Sequence, residues 1–182
     1  MKNLILSSRS DHSLEATFEN LKDEAKYICT SKAYSKFGNQ NVYLASEKCI
    51  VCLNGKRLIW SQPIDKEEST SLTGLHFCDI NRKVYASFSN GSIFTYSEMD
   101  GVVEEEAAIG ACITSMAWSP DDEIVLLATD LNMIVALTQG MDKIDDIEVN
   151  QEGFGDQEFI NVGWGKKETQ FQGKRGKIVK GK

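Results

Sequence analysis

The segment ITSMAWSPDDEIVLLAT, residues Ile113 to Thr129, holds two apolar runs on either side of Ser119-Pro120-Asp121-Asp122. Proline favours the second position of a type I turn and Asp is tolerated after it, so the tetrapeptide predicts a turn. The run that follows, Ile124 to Thr129, is rich in apolar and β-branched residues and predicts a strand buried on both faces. The segment therefore predicts two antiparallel strands joined by a tight turn.

The same pattern of strand, turn and strand recurs elsewhere in the chain. The copy from Leu72 to Ser97 contains Asn90-Gly91 between two apolar runs, and this dipeptide is a strong hairpin signal because both residues accept positive φ. A third, less clear copy spans Phe37 to Asn54, and a fourth begins at Glu158. The pattern therefore indicates a repeat rather than a single hairpin.

The spacing of equivalent side chains gives the length of this repeat. One aromatic residue is predicted to end the first strand of each copy, and one isoleucine lies in the third strand. These residues recur every ~40–46 positions, a period typical of β-propeller blades. They are Phe37, Phe77, Trp118 and Trp164 for the first strands, and Ile50, Ile93 and Ile134 for the third strands.

We therefore predict an all-β, WD-type β-propeller with about four blades in this chain. An ordinary sandwich or barrel with regularly spaced turns is the alternative. The Gly-His and Trp-Asp dipeptides of the strict WD motif are absent, so the blades are divergent. Because WD-type rings commonly have more than four blades, we expect part of a larger ring rather than a small closed one.

Composition limits the class of protein. The chain has 182 residues and a formal net charge of -7, so the bulk of its surface is a poor match for nucleic-acid phosphates. The apolar run Leu4-Ile5-Leu6 is too short for a signal-peptide core or a membrane span. Five cysteines without a secretory signal indicate a reduced, intracellular chain.

Two segments fit the repeat poorly. Leu14, Phe18, Leu21 and Ala25 have helical spacing, which predicts either a short amphipathic helix or a divergent strand and loop. The C-terminal stretch 172–182 is basic and of low complexity, and we expect a disordered tail there. The predicted domains are therefore a partial propeller over 1–171 and a tail over 172–182.

Residues that could carry chemistry have plainer interpretations. Cys49 and Cys52 have CxxC spacing, but in a strand they would point to opposite faces and could not share a metal ion. His76, between Leu75 and Phe77, is expected to be a core or strand histidine, because no nucleophile motif accompanies it. We predict no catalytic residue, no cofactor and no metal site.

One stretch resembles a known family. FGDQEFINVGWGKKETQFQG, residues 154–173, is similar to the FI-VGWG-KETQFHG signature in the N-terminal propeller of the Elongator complex's largest, scaffold subunit, the IKAP family. The match is weaker at 34–97 and poor at 11–33. Gln172 stands where the family usually has His. The residues that match the signature are Gly163, Trp164, Gly165, Lys167, Glu168, Thr169, Gln170 and Phe171.

The resemblance implies a non-catalytic scaffold that supports tRNA wobble-uridine modification through protein contacts. Its partners would be other Elongator subunits, including the catalytic radical-SAM and acetyltransferase subunit, with tRNA contacted through the complex. Dimerisation is expected from a region of the family outside this chain, and the location would be the cytoplasm and the nucleus. No membrane contact is expected.

The signature segment has a structural and a functional interpretation. Trp164, between two glycines, is expected to be blade core. The functional version places Lys166, Lys167 and Glu168 in an exposed loop that docks a neighbouring subunit. Two alternatives to the Elongator scaffold are a WD-repeat adaptor of another intracellular complex and an RNA-binding module that uses the basic C-terminal end.

Overall fold

A computed structural model of the chain describes residues 24–32, 40–55, 57–149, 161–164, 170–172 and 178–180. The strands form three four-stranded antiparallel sheets and one two-stranded sheet. Blade 1 contains β1 (Tyr27–Thr30), β2 (Asn41–Ala45), β3 (Cys49–Asn54) and β4 (Arg57–Pro63). Blade 2 contains β5 (Leu72–Cys78), β6 (Lys83–Phe88), β7 (Ser92–Ser97) and β8 (Val103–Ala108). Blade 3 contains β9 (Ile113–Trp118), β10 (Ile124–Thr129), β11 (Met133–Thr138) and β12 (Lys143–Glu148), and the two-stranded sheet pairs β13 (Gln170–Gln172) with β14 (Ile178–Lys180).

Each four-stranded sheet is a simple meander in which neighbours in sequence are neighbours in space. The first strands lie side by side, with β5 in contact with both β1 and β9, whereas β4, β8 and β12 are the last strands of their sheets. Every residue of β12 is exposed. Sheets that meet through their first strands and end in outer strands are blades of a β-propeller, so the predicted fold class is confirmed.

Tight turns connect the strands, and several need a left-handed residue. Asn90-Gly91 joins β6 to β7 as predicted, with the Gly91 N–H donating to the Phe88 carbonyl at 3.0 Å. Gly91 has φ of 90°, while Asn90 is not in the positive-φ region. A methyl group on Gly91 would lie 2.4 Å from the Ile109 carbonyl oxygen, so glycine is needed both for its backbone angle and for the close approach of the connection that follows β8.

The apolar core lies between the blades. Tyr43 of blade 1 stacks on Phe77 of blade 2, with ring centroids 5.0 Å apart. Tyr85 of blade 2 meets Trp118 of blade 3 at 4.7 Å in a tilted arrangement. Full burial of such a side chain contributes about 1.5–3 kcal/mol, so these facing aromatics hold adjacent blades together.

Residues 161–164, where the sequence predicts a fourth repeat unit, pack beside blade 3. The Val162 N–H donates to the Ser115 hydroxyl at 3.0 Å, and the Trp164 indole N–H donates to the Ala117 carbonyl at 3.2 Å. Residues 161–164 therefore run along β9 on the face away from blade 2. The predicted start at residue 158 lies outside the described residues, and three complete blades are present within them.

The register can be compared with the predicted repeat positions. Ile50, Ile93 and Ile134 occupy equivalent third-strand positions, as predicted. In each blade, one residue of the first strand pairs with a valine at the second position of the second strand. The pairs are Thr30 with Val42, Phe77 with Val84, and Trp118 with Val125. The first strand of blade 1, β1, ends at Thr30, and Phe37, which was predicted to end it, lies outside the described residues. The position equivalent to Phe77 and Trp118 in β1 is therefore Thr30, which is not aromatic.

Other predictions fall largely outside the described residues. These include the helix or strand alternative at 14–25, apart from Ala25, which lies in neither. The stretch expected to be a disordered tail contributes β14, which pairs with β13 across the predicted boundary at residue 171. The division into a domain and a tail stays a prediction. Within the described residues, no helix is long and apolar enough to cross a bilayer.

Candidate functional site

A buried carboxylate, Asp122, lies at the centre of a polar cluster that joins the three blades. Its Oδ2 accepts the Lys32 ammonium at 2.7 Å and the Asp79 backbone N–H at 3.1 Å. Its Oδ1 lies 3.0 Å from Nε2 of His76. Lys32 follows the first strand of blade 1, His76 and Asp79 belong to blade 2 and its turn, and Asp122 belongs to the first turn of blade 3. We call these four residues the Asp122 cluster.

The turn in the quoted segment positions this carboxylate. The Asp122 N–H donates to the Ser119 carbonyl at 3.0 Å, which closes the predicted turn. Asp122 has φ of 61°, a left-handed angle that Asp tolerates better than most residues. With the backbone reversed at this point, its side chain turns back toward blade 2 and is 2% exposed.

Ionisation of Asp122 follows from its partners. Burial raises the pKa of a carboxyl group, but here the hydrogen bonds from Lys32, the Asp79 N–H and His76 outweigh it, and the pKa of Asp122 is lowered. A carboxylate can only accept hydrogen bonds, so Nε2 of His76 carries the proton in this pair. The geometry thus fixes one tautomer of the imidazole.

His76 is partly buried, and both its Nε2 atom and the face of its ring have a partner. Its ring stacks on Trp118 at 5.0 Å with an interplanar angle of 10°. Burial lowers the pKa of His76, opposed by the hydrogen bond to Asp122, so the ring is neutral near pH 7. Among the described residues, Asp122 is the hydrogen-bond partner of this ring, and no serine or cysteine is placed as a nucleophile beside it. The pair therefore ties blade 2 to blade 3, and the expectation of a strand histidine is confirmed.

A second polar node links blades 1 and 2 through Glu98. Arg82 donates to its carboxylate from Nε at 2.7 Å and from Nη2 at 2.8 Å. Asn41 of blade 1 donates to the same carboxylate at 2.8 Å, and the Trp60 indole N–H donates to the Glu98 carbonyl at 2.9 Å. A two-pronged guanidinium contact has a defined geometry, so this node fixes the orientation of the two blades.

Cys49 and Cys52 lie on β3 with their side chains in different apolar clusters, as the strand period predicts. Both are buried, and burial raises the pKa of Cys52 to about 12, which disfavours the thiolate that metal binding requires. In the part of the chain that the structure describes, no group of three His, Cys, Asp or Glu residues is placed to hold a metal ion.

The sequence-predicted partner site cannot be placed. Lys166, Lys167 and Glu168 lie outside the described residues, as do Gly165 and Thr169 of the signature. Gln170 and Phe171 lie in β13. Gly163 and Trp164 are described, and Trp164 packs against the apolar cluster on the far side of blade 3. The interpretation of Trp164 as blade core is therefore confirmed.

Sequence reasoning missed the Asp122 cluster. The second Asp of Ser-Pro-Asp-Asp was interpreted as a turn residue, and Lys32 was not singled out. The available signal was an acidic residue at a turn position that favours left-handed backbone, together with a lone histidine in a strand about one repeat earlier. That signal indicates two candidates but does not show that they meet.

Comparisons with known proteins agree with this architecture. A solved structure of Raptor from Chaetomium thermophilum has a TM-score of 0.64 at 14% identity, covering 85% of this chain and 15% of that chain. The β-propeller domain of Cps50 (Swd1) from Myceliophteria thermophila has a TM-score of 0.59 at 14% identity, covering 90% and 55%. These likenesses show the fold alone.

Curated relatives of this chain include Elongator complex protein 1 of several organisms. The Drosophila melanogaster protein is 35% identical over 106 residues, which is 58% of this chain and 8% of the relative. The Saccharomyces cerevisiae protein is 29% identical over 168 residues, which is 88% of this chain and 12% of the relative. The chain thus spans about a tenth of the length of these relatives. The family model described as the ELP1 first N-terminal beta-propeller matches residues 1–182. The chain therefore belongs to the family of ELP1 first N-terminal β-propellers.

Proposed function

We propose that this chain is a non-catalytic scaffold part of the Elongator complex and supports tRNA wobble-uridine modification through protein–protein contacts. The observation that carries the proposal is the family match over residues 1–182. The partners would be other Elongator subunits, including the catalytic radical-SAM and acetyltransferase subunit. tRNA would be contacted through the complex, in the cytoplasm and the nucleus.

The described architecture supports a scaffold role on physical grounds. A docking platform must keep its surface loops in fixed relative positions, because ordering a mobile surface on binding reduces affinity. The Asp122 cluster and the Glu98 node fix the turns of three successive blades at one end of the sheets. Such a surface suits rigid-body docking of another protein.

The contact proposed for Lys166, Lys167 and Glu168 rests on the family signature and on the charge of these residues. A double charge reversal, Lys166→Glu with Lys167→Glu, should weaken recovery of the neighbouring subunit. Glu123→Lys with Glu148→Lys, on the exposed surface of blade 3, is the control. Unchanged recovery with the signature variant would count against a docking loop there.

Immunoprecipitation from cells with an antibody against residues 1–182, read by mass spectrometry, tests the assignment to the complex. We expect recovery of the catalytic Elongator subunit together with the natural protein that carries this chain. Recovery of the protein without any Elongator subunit would contradict the proposal and leave an adaptor role in another complex.

The RNA-binding alternative depends on the basic C-terminal end, where 166–182 holds seven Lys or Arg residues against one Glu. Phosphate contacts make such binding steeply salt-dependent. A salt titration of RNA affinity should therefore separate the natural protein from a variant without residues 172–182. Equal affinities and equal salt slopes would remove this alternative.

A further inference from the structure

A groove with a cavity of about 420 Å³ opens between blades 1 and 2, and its lining includes no residue of the Asp122 cluster or Glu98 node. One wall is residues 62–67, the end of β4 and the connection that follows it, and the other is the face of blade 2 that carries Phe94 and Val103. We call it the blade 1–2 groove. Its volume falls in the range of sites that hold a side chain or a small ligand.

The floor of the groove is aromatic and rigid. Phe88 and Phe94 meet edge to face, with ring centroids 5.7 Å apart at 83°. Tyr96 stacks on Trp60 of blade 1 at 6.4 Å. Phe88 and Tyr96 are each 2% exposed, whereas Phe94 is partly buried and Val103 is 42% exposed. An incoming apolar side chain would therefore meet fixed rings below and accessible aliphatic surface beside it.

The rim of the groove is acidic. Asp65 and Glu67 are exposed and line it, and among the described residues neither carboxylate forms an ion pair. Lys66 lies between them, but its ammonium turns inward to the Glu47 carboxylate and the Thr70 carbonyl, with its side chain 16% exposed. The only cation lining the groove in the described residues is thus already engaged, and the two carboxylates face solvent uncompensated.

The alternation of outward carboxylates and an inward lysine at residues 65–67 fits a partner segment with an extended backbone. Asp65 and Glu67 are exposed while Lys66 between them is partly buried, so the two carboxylates lie on the solvent side of this segment, two residues apart. A second extended chain carries its own alternate side chains at the same spacing. Basic residues at every second position could then meet both carboxylates while an apolar residue enters the groove.

We propose that the blade 1–2 groove binds an extended protein segment that presents Lys or Arg residues around one apolar anchor side chain. The apolar floor supplies affinity, and the acidic rim supplies preference for basic segments and a faster encounter. The proposal names a partner chemistry and a surface for the protein contacts proposed above, and it rests on that scaffold role.

Direct binding of defined peptides tests the groove. The probes are fluorescent 12-residue peptides with a central Leu or Phe flanked by lysines, and matched peptides with glutamates or with a central Ser. The natural, full-length protein is titrated into each probe, and anisotropy is measured. We expect the lysine peptides with an apolar centre to bind most tightly and to weaken as salt is raised.

Charge reversal on the rim locates the binding. Asp65→Lys with Glu67→Lys should weaken binding of the lysine peptides about tenfold or more. Glu123→Lys with Glu148→Lys makes the same change in net charge on blade 3 and should leave binding unchanged. Equal losses in both variants would mean nonspecific attraction and would overturn the proposal, as would tighter binding of glutamate peptides or equal binding of the serine-centred peptide.

Two further outcomes are decisive. If removal of residues 172–182 raises peptide affinity, the chain's own basic end occupies the groove and a partner segment does not. If the peptides bind as expected but no Elongator subunit co-purifies, the scaffold assignment fails while the groove's chemistry stands. If subunits co-purify and no peptide binds, the groove proposal alone fails.

Discussion

Replacing Asp122 with Ala should destabilise the propeller more than any other change at a turn of the described blades. The substitution removes the acceptor of three hydrogen bonds and leaves the Asp79 N–H and the His76 Nε2–H without it. A buried donor left unsatisfied costs about 1–3 kcal/mol. Lys32 is half exposed, so its ion pair adds about 0.2–1 kcal/mol.

These contributions, together with the cost of a left-handed angle for Ala, predict a loss of about 3–5 kcal/mol in the free energy of unfolding. Asp122→Asn keeps the shape and tolerates the φ of 61° but removes the charge, so it should cost less, about 1–3 kcal/mol. The matched control is Glu123→Ala at the next, exposed position, expected within about 0.5 kcal/mol of the parent.

Urea denaturation followed by tryptophan fluorescence measures the effect, because Trp118 stacks on His76 within this cluster. From most to least stable, we expect the parent, then Asp122→Asn, then Asp122→Ala, with the m-value unchanged. If Asp122→Ala lost less than about 1 kcal/mol, or no more than Glu123→Ala, the assignment of Asp122 as a tie between blades would be refuted.

Three further predictions follow from single contacts. Burial lowers the pKa of His76 below its ordinary value of 6.5, so the unfolded chain binds more protons than the folded chain below that pH. The free energy of unfolding should therefore decrease as the pH is lowered from about 7 to 5. His76→Gln should flatten this dependence in urea titrations at several pH values, and an unchanged slope would contradict it. Gly91→Ala should lower the free energy of unfolding by about 2 kcal/mol or more, because of its φ of 90° and the carbonyl oxygen 2.4 Å from the new methyl group. Gly110→Ala is the control: its new methyl group meets nothing within 4 Å, so thermal denaturation should show almost no change. Trp164→Phe keeps an apolar ring but loses the indole hydrogen bond to β9, so we expect a loss of about 1 kcal/mol in chemical denaturation, and no loss would argue against 161–164 as the start of a fourth unit.

Local patterns in the sequence were sufficient for the type of element and the repeat. The apolar runs, the turn at Ser119 to Asp122 and the Asn90-Gly91 hairpin are all present in the structure. The third-strand isoleucines have the predicted register. These features depend on interactions between residues close in sequence, and the period of a repeat survives divergence of the individual side chains.

The aromatic spacing was less informative in the first blade. Phe37 matches the aromatic period but lies outside the described residues, and the equivalent position in β1 is Thr30. An insertion in a connection changes spacing without changing the sheet, because loops accept added length at small cost. Spacing alone therefore does not fix which residue ends a strand.

The candidate sites depended still more on tertiary contacts. No local pattern links Lys32, His76 and Asp122, which are brought together by the packing of three blades. Likewise, the groove pairs the segment after β4 with the aromatic face of blade 2.

The sequence by itself determined strands, turns, the repeat period and, through the signature at 154–173, the family resemblance. Only the tertiary structure decided which polar residues are buried together and which acidic residues border an apolar groove. The physical reason is range: turn chemistry and strand alternation act over a few residues, whereas burial and charge pairing depend on which blades meet.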